Sequence, residues 1–126
     1  MGVHNISTPN GKKFSVNGCG VTLTFDPSFG PRMSAAFDKK QAFVDSEVLR
    51  YDSPLVPFQT GNLEHSGIMG THVGSGLVEY IAPYAATQYY DTADTRPYDS
   101  NRGAHWFERM KAAHKQDILN GLKHIQ

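Results

Sequence analysis

The chain has 126 residues, in which twelve basic and twelve acidic residues cancel. A chain of this length suits one domain, and the balanced charge argues against a protein dedicated to binding nucleic acid or anionic lipid. Hydrophobic residues make up 39% and charged residues 19%, while 12 Gly and 7 Pro predict many turns and a sizeable irregular part.

A hairpin is the first element that the sequence predicts. The dipeptide Asn17-Gly18 favours a type I′ turn, and Val21, Leu23 and Phe25 alternate along the strand that follows it. We expect a β-hairpin with one buried face. It is either an ordinary structural hairpin or a projecting element that adds to a neighbouring subunit's sheet.

A central helix is expected over residues 34–51. Ser34 stands where an N-cap residue would satisfy free backbone N–H groups, and Phe37, Val44 and Val48 recur at helical spacing. Asp52-Ser53-Pro54 ends the helix, because the residue before a proline is disfavoured in the α region.

The middle of the chain predicts a second hairpin. Residues 68–73 and 77–82 are short runs joined by Gly74-Ser75-Gly76, a loop suited to a β-hairpin. Pro83 cannot donate to a ladder, so the second strand should end there or lie at an edge of the sheet. Residues 91–103 are polar and form a long loop, which is typical of a functional or disordered segment.

The segment 104–125 is expected to be the second long helix. Its apolar face is formed by residues at helical spacing, namely Phe107, Met110, Ile118, Leu122 and Ile125. Trp106 and Phe107, at its start, are expected to close the core.

Together these elements predict an α+β fold. Residues 12–126 would form a single small domain in which antiparallel β-hairpins pack with a central helix and a C-terminal helix. Residues 1–11 are polar and turn-rich, and we expect them to be a flexible N-terminal arm.

Nothing in the sequence has the spacing of a catalytic, cofactor or metal site. The six histidines are scattered, and the glycine-rich stretches match neither the dinucleotide fingerprint nor the phosphate loop. The single Cys19 lies between two glycines with no base nearby. We therefore expect no enzyme activity, no cofactor and no bound metal.

Targeting signals are also missing from the sequence pattern. Cys19 is the one cysteine and cannot form an internal disulfide, and the N-terminus lacks the basic-then-apolar order of a signal peptide. No apolar run approaches the roughly 20 residues of a membrane helix. We expect a protein made in a reducing cytoplasm, with no membrane partner.

Several stretches of the chain follow one another in a distinctive order. The first is FVDSEVLRYDSPLVPFQTG, which overlaps VPFQTGNLEHSG. A predicted Gly-centred hairpin, YIAPYAATQYY, a polar loop and HWFERMKAAHKQDIL follow. In this order, over about residues 37–120, the chain resembles the minor capsid proteins of tailed bacteriophages. These are related to the tail-completion, or head-to-tail joining, group of neck proteins.

The resemblance implies a structural virion protein with no cofactor and no catalytic residue. Such proteins are small α/β subunits that form rings in the neck, between the portal and the tail tube. The implied partners are copies of the chain itself and the portal, connector and tail proteins of the same virion. Genomic DNA would only pass through the central channel, and the protein would be made in the cytoplasm of the host bacterium.

Exposed aromatic residues are the natural candidates for such subunit contacts, because large rings bury much area with few rotatable bonds. The alternative is that two or more of them pack internally. A different function is also open, namely a soluble module that captures a peptide or protein on an exposed edge strand. The subunit-interface candidates are Tyr84, Tyr89, Tyr90, Tyr98 and Trp106.

Overall fold

A β-hairpin followed by four α-helices makes up the fold in the computed structural model, which describes residues 4–125. A short 3-10 turn, Ser53–Leu55, directly continues the first helix. The predicted α+β class and the single small domain are confirmed. In chain order the elements are β1 (Lys12–Val16), β2 (Cys19–Leu23), α1 (Phe29–Asp52), α2 (Asn62–Gly70), α3 (Ala85–Tyr90) and α4 (Trp106–Leu122).

The core lies between α1 and α4 and continues beneath α2 and α3. Val48 packs with Met110 and Ile118 in one cluster, and Trp106 packs with Val56, Leu63 and Ala85 in the other. Trp106 and Met110 stand one turn apart on α4. A single stripe of α4 therefore joins both clusters.

The C-terminal helix is confirmed over Trp106–Leu122, so Ile125 of the predicted apolar face lies beyond its end. Met110, Ile118 and Trp106 are buried as predicted. Phe107 keeps 38% of its surface exposed, so the expectation that it closes the core is wrong. Adjacent helical positions point about 100° apart, so Trp106 takes the inward position and turns Phe107 away.

The N-terminal hairpin is confirmed, but its predicted burial is wrong. Phe14 pairs with Val21 across the antiparallel ladder, and Asn17-Gly18 adopts positive φ angles of 52° and 79°. Every residue of β1 and β2 is nevertheless exposed. Within residues 4–125, no helix packs across this two-stranded sheet, so its apolar side chains stay in solvent.

The predicted middle hairpin is wrong. Residues 62–70 form α2, whose start follows Gly61 in the left-handed region at φ 84°. Leu63, Ser66 and Gly67 are buried at helical spacing, which a strand would not produce. Residues 71–82 do turn back, but the Thr71 hydroxyl accepts from the Glu79 N–H at 3.0 Å in place of a backbone ladder.

The start of α1 also differs from the prediction, whereas its end agrees. The helix begins at Phe29, five residues before Ser34, and Ser28 precedes it. Pro31 is tolerated because first-turn N–H groups have no partner within the helix. Ser34 instead accepts the Ile6 N–H at its hydroxyl, at 2.8 Å.

Part of the predicted N-terminal arm lies against this helix. The His4 N–H donates to an Asp38 carboxylate oxygen at 3.0 Å, and the Gly30 N–H donates to the Thr8 hydroxyl at 2.9 Å. Residues 1–3 of the arm lie outside the described residues. The flexibility of residues 1–11 stays a prediction.

Candidate functional site: an aromatic groove and an uncovered hairpin

The predicted interface tyrosines fall into two pairs, each in its own groove. Tyr89 and Tyr90 lie at the end of α3 and line one groove. Tyr84 and Tyr98 line a second groove with residues 57–63. The structure thus brings the tyrosines together two by two and does not form one continuous patch.

The first groove, called here the aromatic groove, has a volume of about 570 Å³. Residues from α1, the segment 76–80, α3 and the start of α4 line it. The apolar face of α1 forms one wall through Val44 and Val48. Its aromatic side chains are Tyr80, Tyr89, Tyr90, Trp106 and Phe107.

Trp106 organises these rings and has little surface to offer a neighbouring subunit, since it is only 2% exposed. Tyr89 meets it edge-to-face with ring centroids 4.7 Å apart, and Tyr80 does so at 5.4 Å. Edge-to-face pairs add about 0.5–1.5 kcal/mol beyond the area they bury. Tyr90 is 68% exposed and stands at the rim of the groove.

Asp52, the last residue of α1, lies in the floor of the groove with 1% of its surface exposed. One carboxylate oxygen, Oδ1, has no hydrogen-bond partner in the described part of the chain. The other, Oδ2, accepts one long hydrogen bond of 3.4 Å from the Tyr80 hydroxyl. Burial raises the pKa of Asp52 to about 7, and the bond from Tyr80 offsets only part of that rise.

Asp45, two turns earlier on the same helix, is as deeply buried but fully bonded. Its Oδ1 accepts from the Gln41 amide at 3.0 Å. Its Oδ2 accepts the N–H groups of Gly74 and Gly76 at 2.8 and 3.0 Å. These bonds fix the Gly-centred turn, where both glycines have positive φ angles. Asp45 is therefore structural, whereas Asp52 retains unused acceptor capacity.

Sequence reasoning missed both aspartates. The available signal was their spacing, because Asp45, Val48 and Asp52 follow the three- and four-residue steps of a buried helix face. An acid on such a face needs partners from elsewhere in the fold, since buried charges are costly unless paired. That requirement identifies candidate positions but not the partners.

The second groove, of about 760 Å³, is more polar. The Tyr98 hydroxyl accepts the Phe58 N–H at 2.9 Å, which fixes the Tyr98 ring over the loop. The Arg96 guanidinium donates to the Gln88 side chain and to the Thr92 hydroxyl, both at 2.9 Å. These two hydrogen bonds hold the loop that contains Arg96 against the end of α3.

The loop 91–103 is tied down by arginines. Arg109 donates to the carbonyls of Asn101, Ala104 and Leu55 at 2.8, 2.9 and 3.2 Å. Arg102 donates to the Val56 carbonyl at 2.7 Å. A planar guanidinium suits this role because its five donors have fixed directions. The loop therefore has a defined conformation that orders the rim of the second groove, which Arg96 and Tyr98 line.

The hairpin carries the second surface of interest, called here the apolar hairpin face. Residues directly opposed in an antiparallel ladder share one face of the sheet. One face therefore has mostly apolar side chains, and the other has Lys13, Ser15, Gly20 and Thr22. The apolar hairpin face consists of Lys12, Phe14 and Val16 opposite Leu23, Val21 and Cys19.

Residues 4–125 contain neither a cluster of metal-ligand side chains nor a membrane-spanning helix. No group of three or more His, Cys, Asp or Glu side chains in this range is placed to hold a metal ion. No helix in the same range is long and apolar enough to cross a bilayer. Cys19 is free and exposed on the hairpin.

Comparison with known proteins found no family model, no curated protein and no solved structure that matches this chain.

Proposed function

We propose that this chain is a structural virion protein of a tailed bacteriophage. It would be a neck subunit that forms a ring with copies of itself and joins the portal to the tail. The resemblance over about residues 37–120 suggests this class of protein. The observation that carries the proposal is the apolar hairpin face, which the folded chain leaves uncovered.

An uncovered hairpin of this kind favours assembly. Phe14 is 45% exposed and Val21 is 57% exposed, although they form the centre of the ladder. Isolated two-stranded hairpins are marginally stable in water. Burying one such side chain contributes about 1.5–3 kcal/mol, so a neighbouring chain would stabilise the hairpin and gain affinity from it.

Ring formation requires that two different surfaces of one subunit meet in neighbouring copies. The hairpin precedes α1, whereas the two grooves are built from α1, α3, α4 and the loops between them. These surfaces are distinct and can therefore form a head-to-tail contact. The exposed Tyr84, Tyr90 and Tyr98 are then available to neighbouring copies or to the portal and tail proteins.

The proposed role needs no catalytic residue and no cofactor. DNA would pass through the ring without being recognised, as the balanced charge of the chain allows. The protein would be made in the host cytoplasm and end in the neck of the virion.

A complementation experiment tests the proposal. Phage that lacks the gene should produce separate filled heads and tails, and the wild-type chain should restore joined particles. Phe14→Asp places a charge on the apolar hairpin face and should leave heads and tails separate. Lys13→Asp, on the opposite face of the same strand, should support normal assembly.

Two results would contradict the proposal. One is normal infectious particles without the gene. The other is absence of the protein from purified virions, measured by mass spectrometry.

A second function, a binding module for extended peptides, is favoured by one observation. The described sheet has two strands, so both of its outer edges are free to pair with an added strand. Light scattering coupled to size-exclusion chromatography separates the alternatives. A strict monomer that binds an extended peptide with strand-like backbone pairing would favour the module.

A further inference from the structure

This inference rests on the proposed function and identifies the contact that builds the ring. We infer that the apolar hairpin face of one copy seats in the aromatic groove of the next copy, where the Lys12 ammonium pairs with Asp52.

The aromatic groove contains a buried carboxyl group, that of Asp52, whose acceptors lack a full set of hydrogen-bond donors. Asp52 is buried, its Oδ1 has no partner among residues 4–125, and its Oδ2 has only the long bond from Tyr80. The residues that line the groove include two aspartates and no Lys, Arg or His. Asp45 is already satisfied by three donors. The unmet requirement is therefore for one hydrogen-bond donor at Asp52, supplied from outside the groove, and a cationic donor would also compensate the buried carboxylate.

The lining of the aromatic groove indicates which other chemical character its occupant needs. Val44 and Val48 and the aromatic rings form an apolar lining around the carboxyl. Aromatic rings also attract a cation that approaches their faces. The groove therefore suits an apolar surface that carries a single cation.

The apolar hairpin face has this composition. Lys12 is its one charged residue, and it stands beside Phe14, with the ammonium nitrogen 5.4 Å from the ring centroid. A lysine can lay its aliphatic stem along apolar side chains and still present its charge at the tip. Lys13 projects from the opposite face and cannot enter the groove with Phe14.

A second copy of the chain is the occupant to which these observations point. No residue of β1 or β2 lines the aromatic groove of its own chain. Each copy therefore offers one hairpin and one groove, and the same contact can repeat from copy to copy until the rotation closes. The Tyr80 hydroxyl can give up its long bond to Asp52 when the cation arrives, while the Tyr80 ring stays against Trp106.

Cross-linking between two differently marked chains tests the contact directly. The first chain is the wild type, whose single cysteine, Cys19, lies on the apolar hairpin face. The second carries Cys19→Ser with Ala86→Cys, which places its one thiol at the aromatic groove. A short bismaleimide added to the mixture should yield a mixed dimer, identified by mass spectrometry, and little dimer with either chain alone.

The matched control is Cys19→Ser with Ala112→Cys. Ala112 is also exposed but lies on a different face of the molecule, on α4. This control chain should give no mixed dimer with the wild type. Equal cross-linking at both positions, or none with Ala86→Cys at concentrations where the protein self-associates, would overturn the inference. A strict monomer would do the same.

Charge substitution tests the ion pair within the contact. Lys12→Glu should weaken self-association by roughly tenfold or more, as expected for the loss of a hydrogen-bonded charge pair. Lys13→Glu makes the same charge change on the opposite face and should alter the affinity of self-association by less than about twofold. The double variant Lys12→Gln with Asp52→Asn should weaken association no more than either single change, because both remove one interaction. Additive effects would overturn the pairing.

The inference and the proposed function can fail separately. If the mixed dimer does not form but virions still require the protein to join heads to tails, only the hairpin-to-groove contact is wrong. If the mixed dimer forms but virions lack the protein, the neck role is wrong and the contact stands. Binding of a Lys-containing peptide to monomers without any mixed dimer would overturn the second copy as occupant.

Discussion

The Tyr80 hydroxyl lies 3.4 Å from Asp52 Oδ2, and within residues 4–125 it is the one hydrogen-bond partner of that buried carboxyl. The two groups affect each other's pKa in opposite directions, since the bond from Tyr80 lowers the pKa of Asp52 and the carboxylate raises the pKa of Tyr80. Burial raises the pKa of Asp52, whereas burial and the nearby carboxylate raise the pKa of Tyr80. The pair therefore stabilises the fold weakly, and its energy depends on the protonation of Asp52.

Asp52 should make the chain less stable as pH rises from about 4 to about 7. Its pKa is about 7 in the folded chain against an ordinary value of 3.8, so over this range the unfolded chain releases the proton first. The free energy of unfolding should fall by on the order of 4 kcal/mol at most, and the fall should be complete above pH 7. Asp52→Asn should remove this dependence, which urea unfolding from pH 4 to pH 8 would measure.

Asp45→Asn is the matched control for that experiment. Asp45 is buried on the same helix, but its carboxylate accepts from Gln41, Gly74 and Gly76. Its loss should destabilise the chain at pH 8, by about 1–3 kcal/mol. The test compares the free energy of unfolding of the wild type with that of Asp52→Asn. If their difference is the same at pH 4.5 and pH 8, the role given to Asp52 is wrong.

Trp106 and Phe107 should differ sharply on truncation although they are adjacent. Trp106 is 2% exposed and packs in the core cluster with Val56, Leu63 and Ala85, so Trp106→Ala should cost about 3–5 kcal/mol. Phe107→Ala removes a ring that is 38% exposed and should cost clearly less. Denaturant midpoints of the two variants measure the difference, and equal losses would count against the described orientation of α4.

Arg109→Lys should loosen the loop 91–103. A lysine has three donors on one flexible nitrogen and cannot serve the carbonyls of Asn101, Ala104 and Leu55 together. We expect a loss of about 1–3 kcal/mol and faster hydrogen exchange of the Gly103 N–H, which donates to the Leu55 carbonyl at 3.0 Å.

Arg50→Lys is the control for this change. Arg50 forms an exposed pair with Glu47 on α1, so its replacement should leave stability nearly unchanged. If both substitutions leave the exchange of the Gly103 N–H unaltered, Arg109 does not hold the loop.

Substitution of Tyr89 should affect the stability of the fold, whereas substitution of Tyr90 should affect assembly. Tyr90→Ala removes a side chain that is 68% exposed, so it should leave the melting temperature almost unchanged and, if the neck role holds, reduce joined particles. Tyr89→Ala removes the edge-to-face contact with Trp106 and should lower the melting temperature. Normal yields of joined particles with Tyr90→Ala would remove Tyr90 from the interface.

Local signals in the sequence determined several elements correctly. Asn17-Gly18 marks the hairpin turn because its residues tolerate positive φ angles. The end of α1 just before Pro54 was predicted correctly but for the wrong reason, because Ser53 keeps helical angles of φ −49° and ψ −49°. Pro54 instead acts through its missing N–H, which cannot donate within the helix. The spacing of Met110 and Ile118 predicts the buried stripe of α4. In each case the deciding interaction lies within a few residues of the chain.

Only the tertiary structure decided the burial of these elements and the environment of Asp52. The runs at 68–73 and 77–82 were too short to distinguish a strand from a helix, and packing placed residues 68–70 in α2. The alternation of Val21 and Leu23 predicted a strand, but no described helix covers it. Burial depends on which distant segment packs against a side chain, and the spacing of residues indicates only which face would be buried if such a segment packs there.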